Sequence, residues 1–417
     1  MLGDDFFSQY LDYTSGIEPP AVFQRWCAIG GIGALLGRQF YFQHGHFSVY
    51  PNTYTMLIGS PGTRKSTAIK LMRSLLVQAG YATIAAEKST KEKFLLDLAG
   101  EDNGTVSVDD ILDRNLFGHG DDKPDSEMFI MADEFNDFFG NGNIEFISLL
   151  GTLWDFNGTY RNRIKNGKSV DISNPTVSIL GGNTPTGFSL AFPTDILGQG
   201  FFSRILLIYG EPNGKRIPFP ERPSMESTER ILESFKRIKA NCFGPAELTS
   251  SARNLLDKIY RLNPTVDDVR FESYSNRRFI HLLKLCLIHA ASRESNSICE
   301  QDVLYGNTVL THSESFMPRA LGEFGKGKNS DVTHKVLQVI SGFEGVCTFK
   351  DIWCHVHSDL EKMSQLQEIL MNLHAADKIQ SVPDLNGYLP KRRIVLEEDA
   401  SIVDYSLLSA EERRMTK

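Results

Sequence analysis

A glycine-rich loop that ends in a lysine and a hydroxyl residue is the part of the sequence best suited to chemistry. Its residues are, in order, Gly59, Ser60, Pro61, Gly62, Thr63, Arg64, Lys65, Ser66 and Thr67. In loops of this pattern, backbone N–H groups and the start of the following helix bind phosphates, the lysine reaches the outer phosphates, and the hydroxyl ligates Mg²⁺. We therefore predict that Lys65 contacts phosphate and Ser66 contacts the metal. Arg64 stands where the pattern has its second glycine, and a chance glycine-rich turn is the alternative.

Two adjacent acids, Asp133 and Glu134, directly follow the apolar run 129–132. A carboxylate at the end of such a strand can share Mg²⁺ with a hydroxyl, phosphates and waters, and a second carboxylate can polarise an attacking water. We predict that Asp133 is a metal ligand and that Glu134 activates water. An acidic corner between a strand and a loop is the alternative.

Two further polar residues border apolar runs. Asn183 follows the run 176–180, where an amide could orient the attacking water or sense the outermost phosphate; a turn asparagine is the alternative. Arg204 directly precedes the run Ile205–Tyr209 and is distant in sequence from the glycine-rich loop. This placement favours an arginine that enters the site of a neighbouring subunit, where such residues raise hydrolysis about 10³–10⁵-fold. A surface ion pair is the alternative.

A basic segment lies between the second and third apolar runs. Polar alternation around Asn166 and Gly167 predicts a β-hairpin with a tight turn. Within residues 159–170 there is no acidic residue. The segment carries four cationic residues, Arg161, Arg163, Lys165 and Lys168. We predict that they bind nucleic-acid phosphates independently of sequence and with strong salt dependence. A solvated hairpin on the outer surface is the alternative.

The elements that must position these residues follow an α/β order. Four strand-like runs alternate with helical or polar stretches, which favours a parallel sheet with helices on both faces. The predicted divisions are a helical segment (1–50), an α/β core (51–220), a helical region (221–321), a small polar linker (322–330), a compact unit (331–395) and an acidic, mobile tail (396–417). The compact unit shows a helix, a short strand, two helices and a hairpin, the order of a winged helix.

Charge and composition limit the possible classes of protein. A net charge of −8 over 417 residues argues against coating nucleic acid by bulk electrostatics, so any contact needs local basic features. The six cysteines show no CxxC spacing, which suits a reducing compartment. The acidic start lacks the charge of a signal peptide, and the apolar run that begins at Trp26 is shorter than the roughly 20 residues of a membrane span. We expect a cytoplasmic protein without a membrane partner, and a buried helix at this run.

Five motifs, in their order along the chain, resemble those of minichromosome-maintenance helicases over roughly residues 50–320. The glycine-rich loop has a non-glycine before its lysine, as theirs does. Segments 133–136, 183–185 and 203–204 are similar to their Asp-Glu-Phe-Asp segment, Asn-Pro sensor and Ser-Arg-Phe finger. Segment 277–285 resembles the start of their lid, in which an arginine contacts the γ-phosphate of an adjacent subunit. Spacing favours Arg277, with Arg278 as the alternative. The chain also looks like phage and plasmid replicative helicase-like or primase-associated ATPases.

The resemblance implies an AAA+ P-loop ATPase with a helical lid and a C-terminal winged helix. It implies a hexameric ring that hydrolyses ATP with Mg²⁺ between subunits and moves single-stranded or forked DNA during replication. Lys65, Ser66, Asp133, Glu134 and Asn183 would act in their own subunit and Arg204 in the neighbour. Residues 331–395 carry seven Lys or Arg against eight Asp or Glu, so they fit a replication partner protein as well as DNA.

Two other functions stay open. The first is an AAA+ ATPase that loads or remodels a replication or transposition protein, which would not separate DNA strands. The second is a DNA-bound regulator that senses nucleotide and binds through its winged helix. Glu134 and Arg204 argue against the second, because a sensor needs neither a water-activating acid nor a finger.

Overall fold

A computed structural model describes residues 5–100, 126–140, 142–163, 169–192, 200–266, 268–322, 330–343, 345–360, 362–375, 379–383, 387–390 and 402–415. The chain forms two compact units, of which the first contains residues 1–322 and 400–417 and the second contains residues 323–399. The first is an α/β unit. None of the helices in the described part of the chain is long and apolar enough to cross a membrane.

The helices of the first unit that precede the second unit are α1 (Phe6–Tyr13), α2 (Ala21–Leu36), α3 (Lys65–Gln78), α4 (Lys91–Leu98), α5 (Phe135–Phe139), α6 (Ile144–Leu153), α7 (Pro185–Ala191), α8 (Met225–Asn241), α9 (Ser250–Leu262), α10 (Glu272–Ser275), α11 (Arg278–Ser292), α12 (Glu300–Glu314) and α13 (Met317–Leu321). Its strands are β1 (Phe40–His44), β2 (Phe47–Val49), β3 (Tyr54–Ile58), β4 (Glu127–Ala132), β5 (Thr159–Asn162), β6 (Val170–Ser173), β7 (Thr176–Asn183), β8 (Ile205–Tyr209), β9 (Gly244–Pro245), β10 (Glu247–Leu248) and β11 (Ser297–Ile298).

A parallel sheet of four strands, in the order β4-β7-β3-β8, forms the centre of the first unit. These strands contain the four apolar runs of the sequence, so the prediction of a parallel sheet is confirmed. Every residue of β3 is buried, as in a sheet covered on both faces. Ile58 is aligned with both Asn183 and Tyr209, and the carboxyl ends of the strands therefore meet at one edge.

Helix α2 is almost entirely buried, as the sequence predicted for this apolar run. A helix that is apolar on all sides requires neighbours on all sides. It contacts the sheet and α3. Glycines permit this close approach, since a Cβ atom at Gly33 would lie 2.4 Å from the carbonyl oxygen of Pro51.

Residues 40–49 are not helical, so the prediction of a helical segment over 1–50 is wrong at its end. They form the antiparallel hairpin β1–β2, and β1 also pairs in parallel with β9. The run Phe40-Tyr41-Phe42 has high strand propensity, and Gly45, with φ of +60°, forms the turn.

The second unit has its own apolar core. Its elements are α14 (Ser330–Gly342), β12 (Cys347–Thr348), α15 (Phe349–Val356), α16 (Met363–Ala375), β13 (Ile379–Val382) and β14 (Gly387–Pro390). The strands form an antiparallel sheet in the order β12-β14-β13. Val336, Ile352 and Leu366, from the three helices, are fully buried in its core.

The C-terminal segment 402–415 returns to the first unit and ends in α17 (Ala410–Met415). Glu412 lies 2.7 Å from both Nε and Nη2 of Arg25, and both side chains are buried. This contact differs from the mobile tail predicted from sequence. The reason is that the buried guanidinium of α2 takes its counter-ion from a residue almost at the other end of the chain.

Candidate functional site

The glycine-rich loop lies at the carboxyl end of β3 and leads into the first turn of α3. Gly62 has a φ of +86°, which only glycine adopts readily. The N–H of Gly59 donates to the carbonyl oxygen of Asn183, 3.3 Å away, so the loop begins beside the end of β7. Thr63 is buried, Ser66 is half-buried, and Ser60, Pro61 and Thr67 are exposed.

Lys65 folds back onto this loop. Its Nζ donates to the carbonyl oxygens of Gly59 (2.7 Å) and Ser60 (3.1 Å) and to Oγ1 of Thr63 (3.1 Å). Burial lowers the pKa of the Lys65 ammonium, and the nearby Glu134 carboxylate opposes that shift. The lysine that would contact phosphate is therefore close enough to Glu134 for their charges to interact.

The backbone conformation of Arg64 is one that favours glycine, the residue that the loop pattern has at this position. Its φ of +62° and ψ of +25° are left-handed, a conformation that costs a residue with a Cβ atom about 1–2 kcal/mol. The side chain extends away from the turn, and its Nε lies 2.5 Å from Oε2 of Glu18.

Asp133 and Glu134 follow β4 at the same edge of the sheet. Oδ2 of Asp133 lies 2.6 Å from Nζ of Lys70, which is one turn beyond Ser66 on α3. The carboxylate therefore faces the helix that carries Ser66, and it already attracts a cation. This donor set fits Mg²⁺ held by Asp133 and Ser66, with the other ligands from phosphate and water. Within the described ranges, no group of three or more His, Cys, Asp or Glu side chains could hold a metal.

Asn183 is linked to the residue two places after Glu134. Its Nδ2 donates to Oδ1 of Asn136 (2.7 Å), and its Oδ1 accepts from the N–H of Thr184 (2.9 Å). Asn136 in turn donates to the carbonyl oxygen of Gly187 (2.9 Å). Sequence reasoning assigned Asn136 no role, although its place two residues after the Asp-Glu pair could have indicated one. The two amides fix each other at the edge that carries Lys65 and Asp133.

Arg204 lies at the opposite edge of the sheet. Tyr54 and Ile205, the first residues of β3 and β8, are aligned in parallel, and Arg204 directly precedes Ile205. Arg204 is therefore level with Thr53, six residues before Gly59, and at about 3.3 Å a residue Arg204 and Gly59 are separated by about 20 Å along the strands. The structure therefore brings Lys65, Asp133, Glu134 and Asn183 together and leaves Arg204 apart from them.

Arg204 belongs to an arginine cluster, which we define as Trp154, Asp155, Arg204, Arg277 and Lys284. Nη2 of Arg204 lies 3.7 Å from Oδ1 of Asp155, and Nη1 of Arg277 lies 3.6 Å from Oδ2. Burial lowers the pKa of Arg204, and the charge of Arg277 lowers it further. The two predicted arginines thus lie side by side.

Arg278, the alternative to Arg277, has a different environment. Its Nε lies 2.7 and 3.0 Å from the two carboxylate oxygens of Glu314, and both side chains are buried. Arg278 therefore stabilises the packing of α11 on α12, whereas Arg277 is the arginine that joins Arg204.

Lys284 completes the cluster from α11. Its Nζ donates to the carbonyl oxygen of Tyr50 (2.8 Å) and to Oδ1 of Asn52 (2.6 Å), and it lies 4.4 Å from the centre of the Trp154 ring. Burial lowers the pKa of Lys284 to about 7. Sequence reasoning assigned it no role, because a lysine in an apolar helix gives no sign of its distant partners.

The predicted basic hairpin is present as β5 and β6. Arg161 lies opposite Asp171 on the neighbouring strand, and Arg163 forms an ion pair with the same carboxylate. Lys165, Lys168 and the predicted turn between them lie outside the described residues. Asp171 therefore neutralises part of the positive charge on which the predicted phosphate binding of this hairpin depends.

The base of the hairpin is fixed at the amino-end edge of the sheet. The guanidinium of Arg38 donates to Oγ1 of Thr176 (2.6 Å), to Oδ1 of Asn157 (2.9 Å) and to the carbonyl oxygen of Phe156. Arg38 thus ties the segment before β5 to the first residue of β7. It is a positioning residue that no motif indicated.

The chain matches no protein-family model, and it has no significant match among curated proteins.

Proposed function

We propose that this chain is an AAA+ P-loop ATPase that acts as a ring-shaped DNA helicase or translocase in replication. The observation that carries the proposal is the separation of the motif residues into two sets at opposite edges of one parallel sheet. The glycine-rich loop, Asp133, Glu134 and Asn183 form one set, and Arg204 and Arg277 form the other.

The separation supports a site shared between subunits. Along the strands, Arg204 is about 20 Å from its own glycine-rich loop, too far for it to contact a phosphate held there. A second copy stacked head to tail would supply its arginines to the first. Such a heterologous contact produces a ring when its rotation closes, and we propose a ring of six.

Each residue has a chemical role in this proposal. ATP supplies the phosphate to be transferred, and Mg²⁺, held by Ser66 and Asp133, would offset its charge. Lys65 would leave the loop carbonyl oxygens to bind the phosphates. Glu134 would accept a proton from the attacking water, which Asn183 orients while Asn136 holds the Asn183 amide. Arg204 and Arg277 of the neighbour would neutralise charge that develops on the outer phosphate.

The hairpin supports DNA as the substrate of movement. Arg161 and Arg163 lie on a hairpin whose base is at the same sheet edge as the arginine cluster. A conformational change on ATP hydrolysis at the shared site would therefore occur close to the hairpin residues that bind DNA. The order of elements in residues 331–395 supports a winged helix, which we propose binds a replication partner protein.

Mixing two inactive variants tests the shared site. Lys65→Ala removes the phosphate contact and Arg204→Ala removes the finger, so each variant alone should hydrolyse ATP at least 10³-fold more slowly than wild type. Mixed in equal amounts, they should recover activity, because about a quarter of random interfaces pair an intact loop with an intact arginine. No recovery in a mixture that assembles would overturn the shared site.

ATP hydrolysis with and without single-stranded DNA tests the motor. We expect DNA to raise turnover in the wild type and in Arg230→Ala, an exposed cation on α8. Arg161→Ala should lose the stimulation and keep the basal rate. If turnover ignores DNA in all three proteins, the chain is instead an ATPase that remodels or loads another protein.

A further inference from the structure

We propose that Asp155 is a positioning residue that holds Arg204 and Arg277 together as one unit. The inference rests on the proposed function, in which both arginines act on a phosphate of the neighbouring subunit. It adds that they are not two independent contacts, because one carboxylate contacts both.

The geometry is nearly symmetrical about Asp155. One carboxylate oxygen lies 3.7 Å from Arg204 and the other lies 3.6 Å from Arg277. The two guanidinium carbons lie 5.7 and 5.8 Å from the centre of the same Trp154 ring. A single carboxylate and a single indole therefore contact both cations.

Charge gives Asp155 its importance. Arg204, Arg277 and Lys284 bring three cationic groups around one tryptophan ring, and like charges at such distances repel. The charge of Asp155 opposes the lowering of the pKa of both Arg204 and Lys284. Without this carboxylate, the repulsion between the two guanidinium groups would not be offset, while Nη1 of Arg204 would still donate to the carbonyl oxygen of Gly200 (2.6 Å).

The contacts leave hydrogen-bonding capacity for a second anion. Charge-assisted hydrogen bonds measure about 2.7–2.9 Å, and both contacts of Asp155 are longer. By contrast, Arg278 reaches Glu314 at 2.7 Å and Arg25 reaches Glu412 at 2.7 Å. The buried Nε of Arg204 has no hydrogen-bond partner in the part of the chain that the structure describes. Asp155 thus neutralises the pair without saturating its donors, as a pair that must accept a phosphate requires.

The backbone on each side of Asp155 is fixed. The Trp154 carbonyl oxygen accepts from Nδ2 of Asn52 (2.9 Å), and the Phe156 carbonyl oxygen accepts from the guanidinium of Arg38. Oδ1 of Asn52 also accepts from Lys284, so the backbone beside Asp155 belongs to the same hydrogen-bond network as Lys284. A residue that positions others must itself have a fixed backbone.

The test uses Lys65→Ala as a donor of arginines and Arg204→Ala as the acceptor that binds ATP. We expect donor Lys65→Ala/Asp155→Asn to restore roughly 10- to 100-fold less activity than donor Lys65→Ala, the loss typical of a supporting residue. The KM for ATP should not change, because ATP binds to the acceptor's intact loop. Lys65→Ala/Asp155→Glu, which keeps the charge, should restore part of the loss.

The matched control is Lys65→Ala/Asp257→Asn. Asp257 is 58% exposed and pairs with Arg261, whereas Asp155 is 52% exposed. This donor should equal Lys65→Ala. Full recovery with the Asp155→Asn donor would overturn the inference, and so would a change in the KM for ATP without a change in kcat. If Lys65→Ala itself fails to rescue Arg204→Ala, the proposed function fails instead.

Discussion

Position 64 in the glycine-rich loop is occupied by an arginine in a backbone conformation that favours glycine. Its φ of +62° brings Cβ too close to the following carbonyl group. The ion pair with Glu18 offsets little of this strain, because water screens a pair this exposed. The loop therefore keeps its geometry at a cost to stability.

Replacing Arg64 by glycine and by alanine separates backbone strain from the ion pair. Both variants lose Glu18 as a partner, but only alanine keeps a Cβ atom. We expect Arg64→Gly to exceed Arg64→Ala in free energy of unfolding by about 1 kcal/mol, measured with urea. The same substitutions at Thr67, within α3, should give the reverse order, since alanine is the better helix former. If the alanine variant has the higher free energy of unfolding at both position 64 and position 67, the backbone at position 64 is not strained.

Motif spacing could locate Lys65, Asp133, Glu134 and Asn183, because the two acids directly follow an apolar run and the other two lie seven and three residues beyond one. It could not locate Asp155 or Lys284. The partners of Lys284 are Tyr50 and Asn52, more than 230 residues away in sequence. Pairings of this length depend on the fold, and a single sequence does not contain them.

Helix α2 shows how an element can be constrained by the space around it. Two of its three glycines lie in different environments. A Cβ atom at Gly33 would lie 2.4 Å from the Pro51 carbonyl oxygen, whereas one at Gly30 would lie 3.8 Å from Phe129, an ordinary contact. Pro51 lies three residues before the first residue of β3, so α2 approaches the backbone closely just before the strand that leads into the glycine-rich loop.

Alanine at these two glycines should have opposite effects. Gly30→Ala should raise the free energy of unfolding by up to about 1 kcal/mol through helix propensity. Gly33→Ala should lower it by about 1–3 kcal/mol, because backbone atoms must shift. Urea denaturation of both variants measures the difference. A stabilising Gly33→Ala would show that Pro51 does not confine the helix.

The strands were predictable and their order was not. Four mainly apolar runs indicate buried strands, yet nothing in their spacing places β3 between β7 and β8. The hairpin at residues 40–49 was missed because its aromatic residues continue the apolar spacing of the preceding helix. Turn geometry at Gly45, rather than apolar periodicity, separates the two structures.

In the first unit, helix α2 near the start of the chain contacts the C-terminal segment 402–415. Arg25 on α2 and Glu412 on α17 form a buried ion pair, and His312 on α12 lies 3.1 Å from the Glu412 carbonyl oxygen. Removing one partner of such a pair is costly, because the other charge stays buried without compensation.

Glu412→Gln should therefore lower the free energy of unfolding of the first unit by about 3 kcal/mol or more. Hydrogen exchange of the α2 amides measures the effect without interference from the second unit. Arg25→Met/Glu412→Met, which removes both charges, should recover most of the loss. If the double variant is as unstable as Glu412→Gln, packing rather than charge accounts for the effect.

Acid should abolish the difference between wild type and Glu412→Gln. Burial acts to raise the pKa of Glu412, but the charge of Arg25 and hydrogen bonds lower it to about 2. The unfolded carboxyl titrates near about 4.3, so its contribution is complete above that pH and is lost as the pH falls towards 2. Exchange measured at about pH 5 and at lower pH should show the two proteins converging.

The return of residues 402–415 to the first unit gives the second unit two attachments. The chain leaves the first unit at Gly322 and rejoins it before Ile402. One protease cut on either side of the second unit would therefore leave it bound, through the intact peptide on one side or through the Arg25–Glu412 contact on the other. Release needs two cuts, or one cut on the amino-terminal side of the second unit together with the loss of that contact. A protein cut once would therefore migrate as one species on a native gel and give two fragments only under denaturing conditions.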